Sequence, residues 1–188
     1  MARPPDPRIR SALRDQAIDY VLRHGVADLS LRPLAKALNT NARMLVYHFG
    51  SREGLMREIL AGLREREDVG IRTWFRDSKE PRTLHDFLSW YWQRLSAPRA
   101  RPALRLIFEL YGLALRDPHS YPGVLTDPLE YWRRLARETG VPPEAETTKA
   151  TLLLAATRGL LLDLCANGDR ARVTRAMNLL TQILKTGD

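Results

Sequence analysis

Residues 41–50 read NARMLVYHFG, and the fold turns on how they are read. The stretch opens polar, turns apolar, then sets Tyr47 beside His48. At about 100° per residue, Leu45 and Phe49 lie within about 40° of each other on a helix, with Ala42 nearby. Arg43 and Tyr47 fall opposite, Met44 and Val46 flank them, and His48 sits at the edge of the seam. Asn41 suits the N-cap and Gly50 the stop. The reading is a very short helix fastened by a narrow apolar seam, with Arg43, Met44 and Tyr47 outward. An exposed tyrosine beside an arginine is costly on a solvated surface. It suits a helix lying in a DNA major groove about 12 Å wide.

The flanking sequence supports this. Ile9, Leu13, Ala17 and Val21 recur every four residues, and Gly25 stops that first helix. Ser30 is an apt N-cap for LRPLAKAL, whose Pro33 falls in the first turn where a missing N–H costs little. Only Asn39 and Thr40 separate this second helix from the third, which is helix-turn-helix spacing. Ser51 caps a fourth helix running to about residue 77. Helical patterns continue at 84–95, 103–115, 127–140, 142–167 and from 170 to about 185. Asp127-Pro128-Leu129-Glu130 is a helix start with a cap, a proline at the first position and a returning carboxylate. No segment has strand periodicity. The expectation is an all-α chain of about nine helices: a basic arm at 1–8, a helix-turn-helix domain at 9–52 and a larger helical domain at 53–188.

Charge points the same way. The 188 residues carry a net charge of +8 with a pI near 10.1, which suits an anionic partner. Residues 1–52 hold nine basic and four acidic side chains against twenty-one and eighteen in the remainder, so the excess concentrates at the N-terminal end. The single cysteine, Cys165, rules out an intrachain disulfide and fits a reducing cytoplasm. Residues 1–20 lack a continuous apolar run, so no signal peptide is expected. The most apolar run, 152–165, falls short of the roughly 18 residues a bilayer requires and contains Arg158 and Asp163.

Within the N-terminal module, Arg43 can read guanine or hold a phosphate, and Tyr47 can reach a phosphate or a thymine methyl. His48 and Arg52 lie at the far end, where phosphates pass, and Ser30 and Arg32 open the second helix toward the backbone. Residues 9–60 resemble the DNA-binding domain of the TetR (tetracycline repressor) family of bacterial regulators. The resemblance rests on HGVADLSLRPLAKAL and NTNARMLVYHFGSREGL, whose ending follows the family pattern of Leu-Tyr-x-His-Phe, a small residue, and a basic residue opening the fourth helix. It implies that Tyr47, His48, Arg52 and the segment from Asn41 to Met44 are DNA-contact positions. Val46 stands where the family usually has tyrosine, and Asn39 where it usually has glycine.

The resemblance further implies a homodimer through the last two helices and an effector cavity among the middle ones. The sequence fits the first point, because ATLLLAATRGLLLDLC at 150–165 is apolar nearly all round and must be covered on more than one side. The expected interface comprises Leu153, Ala156 and Leu160 with Val173, Met177, Leu180 and Leu184, and Cys165 is expected as a buried thiol. The expected pocket lining is Trp74, Trp90, Phe108, Tyr111 and Trp132. No metal-spaced His/Cys set, phosphate-binding glycine loop or nucleophile motif is present, so neither metal nor cofactor is expected. The reading is a cytoplasmic, ligand-responsive repressor that binds a palindromic operator in double-stranded DNA as a homodimer, without a membrane role. A helical enzyme and a non-specific basic nucleic-acid-binding protein are the alternatives. The first leaves the outward Arg43/Tyr47 face unexplained.

Overall fold

The structure is a computed structural model that describes residues 6–26, 29–77, 83–121, 124 and 127–186. Among these it has nine α-helices, one 3-10 turn and no strand. Its contacts form two compact units, Met1–Arg76 with Glu109–Pro122, and Asp77–Phe108 with Gly123–Asp188. The fourth helix falls whole within the first unit and packs against the first helix as far as Arg66.

The first unit opens with α1 (Pro7–His24), capped by Asp6, whose carboxylate accepts from the Arg8 amide at 2.9 Å. The helix thus includes two residues expected in the arm. Residues 1–5 of that arm lie outside the described residues. α2 (Leu31–Ala37) and α3 (Ala42–Phe49) follow, then α4 (Arg52–Arg76). Leu13, Ala17, Ile18 and Val21 of α1 are buried, as are Leu34 and Ala35 of α2, Leu45 and Phe49 of α3, and Leu55, Met56 and Ile59 of α4. α1 also lies along α4 through ion pairs: Arg10–Glu58 at 2.7 Å, Arg14–Glu65 at 3.0 Å and Arg66–Asp19 at 3.1 Å.

The turn between α2 and α3 is a Schellman closure. The Thr40 amide donates to the Ala35 carbonyl at 2.9 Å and the Asn39 amide to the Lys36 carbonyl at 3.3 Å, with Asn39 at φ 51°. Asparagine tolerates this left-handed conformation better than other side-chain-bearing residues, which is how it replaces the family's glycine. Asn39→Gly should therefore leave stability within a few tenths of a kcal/mol or raise it. Asn39→Val should cost about 1–2 kcal/mol, read from denaturant midpoints.

The second unit contains α5 (Leu84–Leu95), the 3-10 turn Pro98–Ala100, the first half of α6 (Arg101–Arg116), α7 (Asp127–Glu138), α8 (Pro143–Asn167) and α9 (Arg170–Thr186). Thr83 and Asp86 form a reciprocal capping box at the head of α5. α7 and α8 are joined at the buried Glu146, which accepts from Arg133 Nε and Arg137 Nη1, each at 2.7 Å. α5 meets α9 where Trp92 Nε1 donates to Thr174 Oγ1 at 3.0 Å.

α8 bears on two expectations. With 25 residues it is long and apolar enough to cross a membrane by length and composition, yet only 28% of its most apolar window is buried within the chain. Its exposed side is also not the expected one. Leu153 is fully buried, as are Val173 and Met177 of α9, so these three pack inside the protomer. Leu152 and Leu162, and Leu179 and Ile183 of α9, are each more than half exposed. Cys165 is half-buried rather than buried. Desolvation raises its thiol pKa above the usual value, against an opposing pull from Arg105 and Arg101.

Candidate nucleic-acid interface

α3 is positioned by its caps and its two neighbours. Asn41 Oδ1 accepts from the Met44 amide at 2.9 Å, and Gly50, at φ 78°, closes the other end. Leu45 and Phe49 seat the helix, at 1% and 7% exposure. The outer face presents Arg43, Val46 and Tyr47, the last two each 43% exposed. Val46 thus faces outward, and the departure from the family's tyrosine lies on the presented surface itself. Met44 is half-buried and Asn41 is exposed beside its cap contact.

Two residues expected at the rim are held elsewhere. His48 is a correction: its ring is buried at 5% exposure, edge-on to Tyr47 at 5.1 Å and 6.3 Å from the Phe49 ring, and neither ring nitrogen has a hydrogen-bond partner. Because α3 is flanked by both α2 and α4, its buried arc is wider than the two-residue seam on the wheel, and His48 falls within it. Arg52 is also engaged in the fold. Its Nε donates to the Leu29 carbonyl at 2.8 Å, and its Nη1 reaches Tyr121 Oη at 3.4 Å.

Ser30 and Arg32 are exposed at the head of α2, and the Ser30 hydroxyl makes no capping bond. The set that faces outward is therefore Ser30, Arg32, Asn41, Arg43 and Tyr47, joined by Val46, which the helical wheel places beside Arg43 and Tyr47. Below this face, Ser51 Oγ accepts from the Gly54 amide at 3.1 Å and caps α4. Glu53 in that first turn has its carboxyl held below the usual range by its own backbone N–H and by Ser51.

The expected pocket residues divide between the two units. Trp74 and Tyr111 belong to the first, and Trp90, Phe108 and Trp132 to the second. Trp132 is a packing residue: it is 3% exposed and meets Tyr91 edge-on at 5.6 Å and Phe87 at 6.1 Å. Trp74 is likewise buried, edge-on to Phe75 at 4.9 Å. Trp90 and Phe108 are half-buried, and Tyr111 is half-buried in the other unit. No group of His, Cys, Asp and Glu spaced to hold a metal occurs among the described residues.

Residues 13–59 match the model of the bacterial regulatory proteins, tetR family. Among solved structures, the chain is similar to the multidrug binding protein EbrR, crystallised with imidazole. That similarity has a TM-score of 0.69 at 25% identity and covers 96% of this chain and 93% of that one. It is similar in fold to Salmonella enterica GusR, with a TM-score of 0.67 at 24% identity over 96% and 98% of the two chains. The fatty acid degradation regulator FadR from Bacillus halodurans shares the fold at a TM-score of 0.59 and 18% identity, over 95% and 97%. No curated protein is significantly similar in sequence.

Proposed function

We propose that this chain, a TetR-family regulator by its N-terminal domain and its fold, binds a palindromic operator as a homodimer and is released from it by a small, largely apolar effector. The observation that carries the reading is the outward face of α3. Arg43, Val46 and Tyr47 stand exposed on a helix of eight residues whose other side is sealed by Leu45, His48 and Phe49. Arg32 and Ser30 at the head of α2 supply backbone contacts across the groove. The chain works in the cytoplasm, acts on DNA without catalysing a reaction, and requires no cofactor.

Dimerisation is supported by the apolar sides that α8 and α9 leave uncovered. Leu152, Ala155, Gly159 and Leu162 form one exposed stripe on α8, where the small residues allow close helix approach, and Leu179 and Ile183 continue it on α9. Two recognition helices spaced by about 34–36 Å would then enter successive major grooves. Leu152→Glu combined with Leu162→Glu should convert the protein to a monomer in sedimentation, with helical content unchanged, and reduce palindrome binding to that of a half-site. A dimer that persists would place the interface elsewhere. For the effector, Trp90 and Phe108 offer half-buried aromatic surface in the second unit, and the similar EbrR was solved with imidazole.

The direct test is binding to palindromes from the protein's own promoter region against scrambled duplexes, over a range of salt. A specific regulator shows a large affinity ratio between the two and a falling log K with log salt in both. Equal affinities would leave only a non-specific basic protein.

A further inference from the structure

α6 passes from one compact unit into the other, and Glu109 is its first residue counted with the DNA-binding unit. At that residue the helix grips the N-terminal module. Glu109 Oε2 accepts from the Val26 amide at 2.8 Å, just beyond the end of α1. α1 ends at Gly25, at φ 75°, and a Cβ there would lie 2.9 Å from each Glu109 carboxylate oxygen. A side chain at residue 25 would push the carboxylate out of this position. Its position is electrostatically unusual, since the C-terminal end of a helix repels negative charge. The Val26 N–H is what offsets that repulsion.

The far end of the same loop is held from the same side. The Leu29 carbonyl accepts from Arg52 Nε at 2.8 Å, and Arg52 Nη1 reaches the hydroxyl of Tyr121, which follows α6, at 3.4 Å. The loop leads directly into Ser30 and α2. Both of its described ends thus answer to the last turns of α6 and the residues after it, and none of these groups lies on the presented face of α3.

We propose that Glu109 is a positioning residue for operator reading: its carboxylate fixes the loop entering α2, so that the helix-turn-helix is held in its DNA-reading geometry while this half of α6 is seated. Tyr121 supports the same loop through Arg52. The inference rests on the regulator reading above. It adds a polar tether through which displacement of α6 would be felt at the recognition module.

The test uses the full chain with Glu109→Ala, Glu109→Gln and Tyr121→Phe, each checked for its melting curve. Affinity is measured for a palindrome and for a scrambled duplex, and exchange of the Val26 amide is followed by NMR. Glu109 is exposed, so its variants should fold. Glu109→Ala should speed Val26 exchange and weaken palindrome binding about tenfold, the scale of one charge-assisted hydrogen bond, with scrambled-duplex binding unchanged. Glu109→Gln keeps an acceptor oxygen and should recover most of the loss, while Tyr121→Phe should show a smaller loss of about two- to threefold, the scale of one weak hydrogen bond. Unchanged palindrome affinity in Glu109→Ala and Tyr121→Phe, despite faster exchange, would overturn the proposal. So would an equal loss on both duplexes, which is the signature of less binding-competent protein and not of altered reading geometry; the lost negative charge by itself would strengthen binding to both. If the wild type itself does not distinguish the duplexes, the regulator reading falls and this inference with it, while Val26 exchange still reports whether the tether exists.

Discussion

Phe49→Ala should lower the unfolding midpoint by roughly 6–20 °C, the equivalent of about 3–5 kcal/mol in a chain of this size. The ring is 7% exposed at the C-terminal end of α3. The Arg10 guanidinium of α1 lies 5.7 Å above it, and Arg10 is itself tied to Glu58 of α4. Phe49 therefore joins three helices, and truncating it leaves a cavity and removes a cation–π contact together. DNA binding should fall only as the folded fraction falls. It should recover in conditions that restore folding, such as added osmolyte. A midpoint within a degree or two of the wild type would mean that α3 is not seated on this ring.

The opposite pattern is expected for Arg43→Ala and Tyr47→Ala. Both side chains are exposed, so the midpoint should stay nearly unchanged. A lost base contact costs about 1–3 kcal/mol, roughly 5- to 150-fold in affinity, and a dimer would lose it twice. The two should also separate by kind. A base contact by Arg43 would relax specificity at one position of the operator, whereas a phosphate contact by Tyr47 would weaken binding to all sequences alike. Competition binding with single-base operator variants distinguishes them. A large drop in stability for either would place that side chain inside the fold.

Short-range signals in the sequence settled the local structure. Asn41 and Gly50 bound α3 as their chemistry requires, and the apolar spacing of Leu13, Ala17 and Val21 marked the buried side of α1. What escaped was decided by groups distant in the chain. Arg52 reads as a phosphate ligand, and its bonds to Leu29 and Tyr121, 23 and 69 residues away, leave no trace in the local sequence. His48 reads as a rim residue until α2 and α4 close on both sides of α3. The buried side of α8 was illegible for a different reason. A helix apolar nearly all round carries no periodic signal, so Leu152 and Leu153 are equivalent in sequence and differ only once α7 and α9 have packed. The short turn Pro98–Ala100 was missed as well, and α6 begins two residues earlier than its apolar pattern suggests.

The ion pairs between α1 and α4 bear on how salt titrations of this protein should be interpreted. Arg10–Glu58, Arg14–Glu65 and Arg66–Asp19 are partly exposed, so added electrolyte weakens them as it displaces protein from DNA. The same reagent then loosens the scaffold behind α3 and competes at the phosphates. A slope of log K against log salt counts released counterions only if the scaffold is unchanged across the range. For this chain the slope sets an upper bound on the number of phosphates neutralised. The melting curve of the free protein over the same salt series gives the amount to subtract.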